Sequence, residues 1–309
     1  MSDDALSFAR APKLNHDDWK NMNDDELYFA YGSNLNQDDW RNWCEKKRED
    51  PDSISAERSG WLVDHRPIYH YKSTSRGGGA LDVTSALGQV TPGVLFRVRG
   101  NGWCALDRKE GHPGYYARKK VTILLEDGAW QTAVTYCVVS ERRQGFTVPT
   151  PEYTEIVRQG LEQWELPTAE HDCAARNEPP APMVRHLFVY GLLQSGQSLG
   201  QSLGGIADRQ PAWIRGRLFD LGAYPGWQPA NDAKAAVHGE LLVLADPAAT
   251  LTETDRIEGC ADYTDHALYH RVLVRANMED GEGVLAWCYR LVKPEGAPLI
   301  PAGLWPPGR

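Results

Sequence analysis

The 309-residue sequence has no run approaching the roughly 20 apolar residues a membrane-spanning helix needs. Its opening, MSDDALSFARAPKLNHDDWK, has neither a basic start nor an apolar export segment. Both absences predict a protein of the cytoplasm with no membrane partner. The six cysteines (Cys44, Cys104, Cys137, Cys173, Cys260 and Cys288) form no CxxC and have no histidine at metal-ligand spacing. They predict reduced thiols rather than a zinc site or a disulfide framework. A basic excess is missing too. At a net charge of −9 the chain lacks the clustered Lys and Arg that neutralise phosphates, so no nucleic-acid partner is expected. The one basic cluster, Lys46, Lys47 and Arg48, lies among Glu45, Glu49 and Asp50 and reads as a solvated face. The glycine-rich SRGGGALD from Ser75 lacks the GK[ST] ending of a phosphate loop, which leaves a hairpin or a loop over a pocket.

What is present is an ordinary folded composition, 41% hydrophobic and 24% charged, with length enough for two domains of about 150 residues. The chain repeats itself. LYFAYGSNL from Leu27 and HLFVYGLLQ from His186 share a strand-to-loop pattern, and each is followed at comparable distance by D-R-x-E-G, in LDRKEG from Leu106 and TDRIEG from Thr254. Each glutamate then leads into a tyrosine and a β-rich run, YYARKKVTILL from Tyr115 and YHRVLVRA from Tyr269. Two motifs repeated in order argue for duplication.

Further strands are expected at GVLFRV from Gly93, AVTYCVV from Ala133, GELLVL from Gly239 and GVLAWCYRLV from Gly283. The clearest helix is PEYTEIVRQGLEQW, with Thr150 as cap, Pro151 in the first turn, and Tyr153, Ile156, Val157, Leu161 and Trp164 on one face. The stretch from Glu165 to Val184 is rich in Pro, Ala and polar residues without an apolar period and reads as a linker. The expected organisation is an N-terminal extension (1–26), a first domain (27–167), a linker (168–183) and a second domain (184–309).

A strand that runs into Gly32-Ser33-Asn34 exposes consecutive backbone N–H groups suited to a carboxylate or a developing oxyanion. A glutamate near such a loop can act as general acid and base if partial burial among aromatic walls raises its pKa. Trp103, Tyr31, Tyr115 and Tyr116 are the candidate walls for Glu110, and His112 is a candidate to tune it.

YFAYGSNL, LDRKEG followed by GYY, and TPEYTEIVRQGLEQWELP together resemble the γ-glutamylcyclotransferase family in order and spacing over about Tyr28 to Pro167. FVYG, GRLFDLGAYPGW, VHGELLVL, DRIEG, YHRVLV and IPAGLW resemble the AIG2-like and γ-glutamylamine cyclotransferase branch of that superfamily. The resemblance implies an α+β fold of two domains, each a small mixed β-barrel with flanking helices, and no metal or organic cofactor. It implies a small-molecule γ-glutamyl substrate cleaved by its own α-amine to 5-oxoproline and a free amine. Carried over, Tyr31, Gly32, Ser33, Asn34, Leu35 and Tyr116 bind substrate and Glu110 shuttles the proton. In the second half the matching positions are Tyr190, Gly191, Leu192, Leu193 and Tyr269, with Glu258 as the shuttle.

Two departures fall in the second half: Leu192 stands where the family usually has Thr, and Thr254 stands before Asp255 where an apolar residue is usual. Two other readings stay open at this point. One has the same glutamate activating water to hydrolyse an amide or isopeptide; the other makes the second half a silent ligand-binding module.

Overall fold

The computed structural model describes residues 26–179, 181–232, 234–279, 281 and 283–305. Of the expected N-terminal extension only Glu26 falls among them; 1–25 and the last residues, 306–309, lie outside. The described residues divide into two compact units, one of 26–123 with 131–183 and one of 124–130 with 184–305. Both are mixed α+β, as the resemblance implies.

The first unit is a closed barrel in the strand order β1-β3-β2-β4-β5. Its ranges are β1 (Leu27–Ala30), β2 (Ile54–Ser73), β3 (Gly78–Val98), β4 (Tyr116–Leu124) and β5 (Trp130–Val138). Strand β1 is short and aromatic, with Tyr28, Phe29 and Ala30 all buried, because it runs inside the closed sheet between an antiparallel β3 (Phe29 opposite Leu95) and a parallel β5 (Tyr28 opposite Val134). Gly93 is where β3 passes the end of β1: a Cβ there would collide with the Ala30 carbonyl oxygen and the Phe29 ring. The long β2 and β3 are joined by the glycine-rich turn, with Gly77 at φ +71°, so SRGGGALD is a hairpin.

Three helices flank this barrel near the end of β1. Helix α1 (Gln37–Lys47) starts at Asn36, whose side chain accepts from the N–H groups of Asp38 and Asp39. Helix α2 (Gly102–Glu110) ends on the glutamate, because Gly111 takes the left-handed conformation (φ 64°) and caps it. Helix α3 (Pro151–Gln163) is the one expected, with Thr150 capping the Tyr153 N–H. Tyr153, Val157 and Leu161 are buried as expected; Ile156 and Trp164 are only partly so. Gly160 lets α3 press on the Leu35–Asn36 backbone, and Trp164 Nε1 donates to the Leu35 carbonyl at 2.9 Å. The helix thereby pins the loop that follows β1.

The stretch read as a linker differs from expectation, since 169–175 form helix α4 (Ala169–Ala175). Its buried side chains include Glu170 and His171, and His171 Nε2 bonds the Tyr69 hydroxyl at 2.8 Å. Polar residues occupy its inner face, which is why no apolar period marked it.

The second unit repeats the barrel as β10-β6-β12-β11-β7 and adds a three-stranded sheet, β13-β8-β9. The barrel strands are β6 (His186–Val189), β7 (Ile206–Arg215), β10 (Ala236–Leu244), β11 (Tyr269–Asn277) and β12 (Gly283–Leu291). The small sheet is β8 (Arg217–Asp220), β9 (Pro225–Gln228) and β13 (Leu299–Ile300). Strand β6 again lies between an antiparallel partner (Phe188 opposite Leu241) and a parallel one (Leu187 opposite Trp287). Gly239 repeats the role of Gly93, with Val189 and Phe188 as the obstructing groups. Helix α5 (Pro247–Glu258), capped by Asp246, ends on its glutamate at left-handed Gly259 (φ 64°). Among the described residues no helix is long and apolar enough to cross a membrane.

Candidate active sites

In the first unit, the chain leaving β1 makes a 3-10 turn over Ser33–Leu35, closed by the Leu35 N–H on the Gly32 carbonyl at 2.9 Å. The N–H groups ahead of that first bond have no partner within the turn, as at any helix start. Asn34 Nδ2 donates to Glu110 Oε1 at 2.7 Å and to the Tyr28 hydroxyl at 2.8 Å, which joins the turn to the end of α2. Asn34 is buried, and its Oδ1 has no hydrogen-bond partner among the described residues. An acceptor-only carboxylate must face the NH₂ end of the amide, which leaves that oxygen a buried acceptor.

Glu110 stands where a cleft of about 530 Å³ meets a recess of about 30 Å³. Ser33, Tyr116 and Tyr153 border both spaces. Burial raises the Glu110 pKa above the ordinary carboxylate range, against the opposing pull of Lys109, the Asn34 hydrogen bond and Arg76. The cleft is rich in cations. Lys109 Nζ contacts Asp39 Oδ2 at 2.8 Å, and Arg76, from the β2–β3 turn, reaches the same carboxylate at 3.2 Å and Ser33 Oγ at 3.1 Å. Burial lowers the Lys109 pKa; burial also lifts Asp39, but its two cations outweigh that and hold it below its usual value.

The D-R-x-E-G motif acquires a physical meaning here. Asp107, one turn before Glu110, accepts from Arg118 Nε and Nη2, both at 2.8 Å, and from the Tyr136 hydroxyl at 2.7 Å. This clamps the last turn of α2 to β4 and β5. The motif's arginine, Arg108, is exposed at the edge of the cleft and pairs with Glu49.

The second unit repeats the scaffold. The Gln194 N–H closes a turn on the Gly191 carbonyl at 3.0 Å, Asp255 pairs with Arg271 at 3.0 Å, and the Tyr289 hydroxyl donates to Asp255 at 2.7 Å. Thr254, the departure before Asp255, is fully buried and sits 2.6 Å from the same hydroxyl. Glu258 borders a pocket of about 310 Å³ with Tyr190, Gly191, Leu192, Leu193 and Tyr269. Burial, and to a lesser degree Asp255, pushes its pKa up to about 7.

Most residues expected at the sites come together: Tyr31, Gly32, Ser33, Asn34 and Tyr116 with Glu110, and the five second-half positions with Glu258. Leu35 does not join them. It is fully buried under α3, and its N–H is spent closing the turn. The two loop tyrosines point their hydroxyls into the barrel wall, Tyr31 to the Tyr136 carbonyl at 2.6 Å and Tyr190 to the Tyr289 carbonyl at 2.7 Å. Tyr116 and Tyr269 likewise donate to the Leu81 and Pro225 carbonyls, at 2.8 and 2.7 Å. Of the proposed walls, Tyr31, Tyr115 and Tyr116 line the spaces around Glu110, whereas Trp103 packs on Tyr28 and Arg118; the His112 ring packs edge-on to Tyr136. Arg76, Lys109, Asp39 and Tyr153, with Ile257 and Tyr224 in the second pocket, border the sites although none was singled out as a site residue; all but Asp39 lie within the segments quoted above.

Fold and site together define a class: paired small β-barrels, each presenting one glutamate of raised pKa beside a glycine turn at the end of its first strand. The chain belongs to the γ-glutamyl cyclotransferase, AIG2-like family, whose model matches it twice, over 28–155 and 187–307. Similar solved structures include a γ-glutamyl cyclotransferase at 23% identity, aligned over 50% of this chain and 89% of that one with a TM-score of 0.42. An AIG2-like protein from Mus musculus is similar at 21% identity over 40% and 88%, with a TM-score of 0.33. YkqA from Bacillus subtilis is similar at 14% identity over 86% of this chain and 83% of its own, with a TM-score of 0.32. A comparison with curated protein sequences gives no significant match.

Proposed function

We propose that the protein cleaves a γ-glutamyl amide by intramolecular cyclisation, with Glu110 and Glu258 as proton shuttles in two domains, 27–167 and 184–309, of a cytoplasmic enzyme. The observation that carries this reading is Glu110 held by Asn34 at the mouth of the turn after β1. Nucleophile and electrophile lie in one substrate, so the protein has mainly to fold it, and enforced intramolecular geometry is worth roughly 7–11 kcal/mol of barrier. The α-ammonium sits against the Glu110 carboxyl that Asn34 holds. Glu110 takes its proton, the amine attacks the γ-carbonyl carbon, and the N–H groups of Gly32 and Ser33 receive the oxyanion. The ring nitrogen sheds a second proton as it becomes an amide, and the two protons pass through Glu110 to the departing nitrogen, one to cleave the bond and one to leave it as an ammonium. Arg76 and Lys109, both paired to Asp39, border the cleft together with Lys46 and Arg108, and this cationic lining suits the substrate's carboxylate.

The test is incubation with a panel of γ-glutamyl amino acids, peptides and amines. Formation of 5-oxoproline that disappears in the combined Glu110→Gln, Glu258→Gln variant is expected. Glutamate as the product would replace cyclisation with hydrolysis, and undiminished turnover in the double variant would remove both glutamates from the mechanism.

A further inference from the structure

Behind the first turn lies a buried acid that the mechanism above does not use. Asp82, on β3, is fully buried; one of its oxygens accepts from the Val138 N–H at 3.1 Å, and the other lies 2.7 Å from His70 Nε2 and 3.7 Å from Arg143 Nε. The Tyr31 hydroxyl, which donates to the Tyr136 carbonyl at 2.6 Å, is 3.3 Å from the first oxygen. His70 reaches the acid through a bulge in β2: Tyr69 pairs with Leu81 and Tyr71 with Ala80, which leaves His70 as an extra residue turned toward Asp82. Its carbonyl accepts from the Gln144 N–H at 2.8 Å.

The second barrel shows that the fold does not require this acid. There Tyr269 donates to the Pro225 carbonyl as Tyr116 does to that of Leu81, and Gly191 lies against Pro225 as Gly32 lies against Leu81. Gly226 therefore holds the place of Asp82. The Tyr190 hydroxyl still donates to the Tyr289 carbonyl, but it is met by the Trp227 N–H, at 3.2 Å, where Tyr31 meets a carboxyl. Burying a carboxyl is costly unless it is hydrogen-bonded, so an acid that barrel closure does not require needs another reason to be there.

What Asp82 touches supplies that reason. The N–H groups of Gly32 and Ser33 follow directly on Tyr31, and on their far side the turn is fixed by the Leu35 N–H and by Asn34. On the near side Tyr31 is held by its hydroxyl. Burial, and after it Asp82, raises the Tyr31 pKa well above its usual value, so the hydroxyl stays a donor. Resting on the cyclotransferase reading above, we propose that Asp82, backed by His70, is a positioning residue of the first site: it ties the Tyr31 hydroxyl to the end of β5 and so aims the Gly32 and Ser33 N–H groups at the oxyanion. The effect falls on the transition state, because those donors act where charge develops.

The full chain carrying Glu258→Gln, so that turnover reports the first site, is assayed for 5-oxoproline from γ-glutamylalanine. Asp82→Ala is expected to lower kcat at least about tenfold and to leave KM within about threefold, the pattern of a contact that counts in the transition state. Asp82→Asn keeps an acceptor for the Val138 N–H and the Tyr31 hydroxyl and can meet His70 in its other tautomer, so its kcat is expected to return to within about threefold of the starting chain. Tyr31→Phe, which keeps the ring and loses the hydroxyl, is expected to lower kcat as well, and the pair Tyr31→Phe, Asp82→Ala to be no slower than the slower single variant. Asp82→Asn as slow as Asp82→Ala, undiminished kcat in Tyr31→Phe, or losses that multiply in the pair would overturn the positioning role while cyclisation stands. If the starting chain makes no 5-oxoproline, the cyclotransferase reading of the first site falls and the role of Asp82 with it.

Discussion

Glu110 Oε1 and Asn34 Nδ2 lie 2.7 Å apart, so a turn at the end of the first strand and the last residue of α2 meet across 76 positions of sequence. The bond favours the ionised carboxyl that burial disfavours. In Asn34→Leu, which copies the second unit's Leu193, that opposing bond is lost and the Glu110 pKa is expected to rise further. The acid limb of the kcat/KM profile for γ-glutamylalanine should move to higher pH accordingly; an unmoved limb would show that Asn34 does not tune the carboxyl.

The clamp on Asp107 has a different consequence. Arg118 is 5% exposed and gives two donors to that carboxylate. Asp107→Asn leaves a buried guanidinium without its counter-charge, at a cost of about 3 kcal/mol. Urea titration should show the loss in the first unit's transition, and Glu110-dependent turnover should drop with it as the end of α2 loosens.

Gly93 and Gly239 occupy the same place in their barrels, each facing the last carbonyl of the first strand and the phenylalanine ring before it. Overpacking of this kind costs about 1–3 kcal/mol. Gly93→Ala and Gly239→Ala are each expected to destabilise by at least about 2 kcal/mol in chemical denaturation, and the double variant by close to the sum, because the sites share no partner.

Glu170 is buried on α4, neither of its carboxyl oxygens has a hydrogen-bond partner among the described residues, and burial raises its pKa to about 8. An unfolded glutamate titrates near ~4.3, so between there and about 8 the folded chain holds a proton that the unfolded chain releases. This contribution to stability is fully present below the unfolded value and is lost as pH rises through the folded one. Glu170→Gln, which cannot ionise, is expected to match the parent near pH 4 and to exceed it by on the order of a few kcal/mol at pH 8. Equal melting temperatures for the two chains at pH 8 would count against the burial of that carboxyl.

Much of the scaffold was legible in the chain itself. Helix α3 showed because its cap, proline and apolar face are local signals, and Thr150 and Tyr153 behave accordingly. The duplicated Tyr-Gly loop and D-R-x-E-G were legible as a repeat, and with them Glu110, Glu258 and the family. Helix α4 was not, because its inward side chains include a glutamate and a histidine that read as solvent-facing.

The sequence by itself determined two barrels and one glutamate in each, since strand, turn and helix-end preferences act between near neighbours. Only the tertiary structure decided how the two carboxyls differ. Lys109 and Ile257 occupy the same place in the motif, and a lysine beside a glutamate at a helix end is ordinary surface chemistry until Asp39, 70 residues away, holds it in the cleft. Arg76 enters by the same route, carried on the turn between two long strands to Asp39 and Ser33. Charge in a pocket depends on which distant groups share its desolvation, and that is settled by packing.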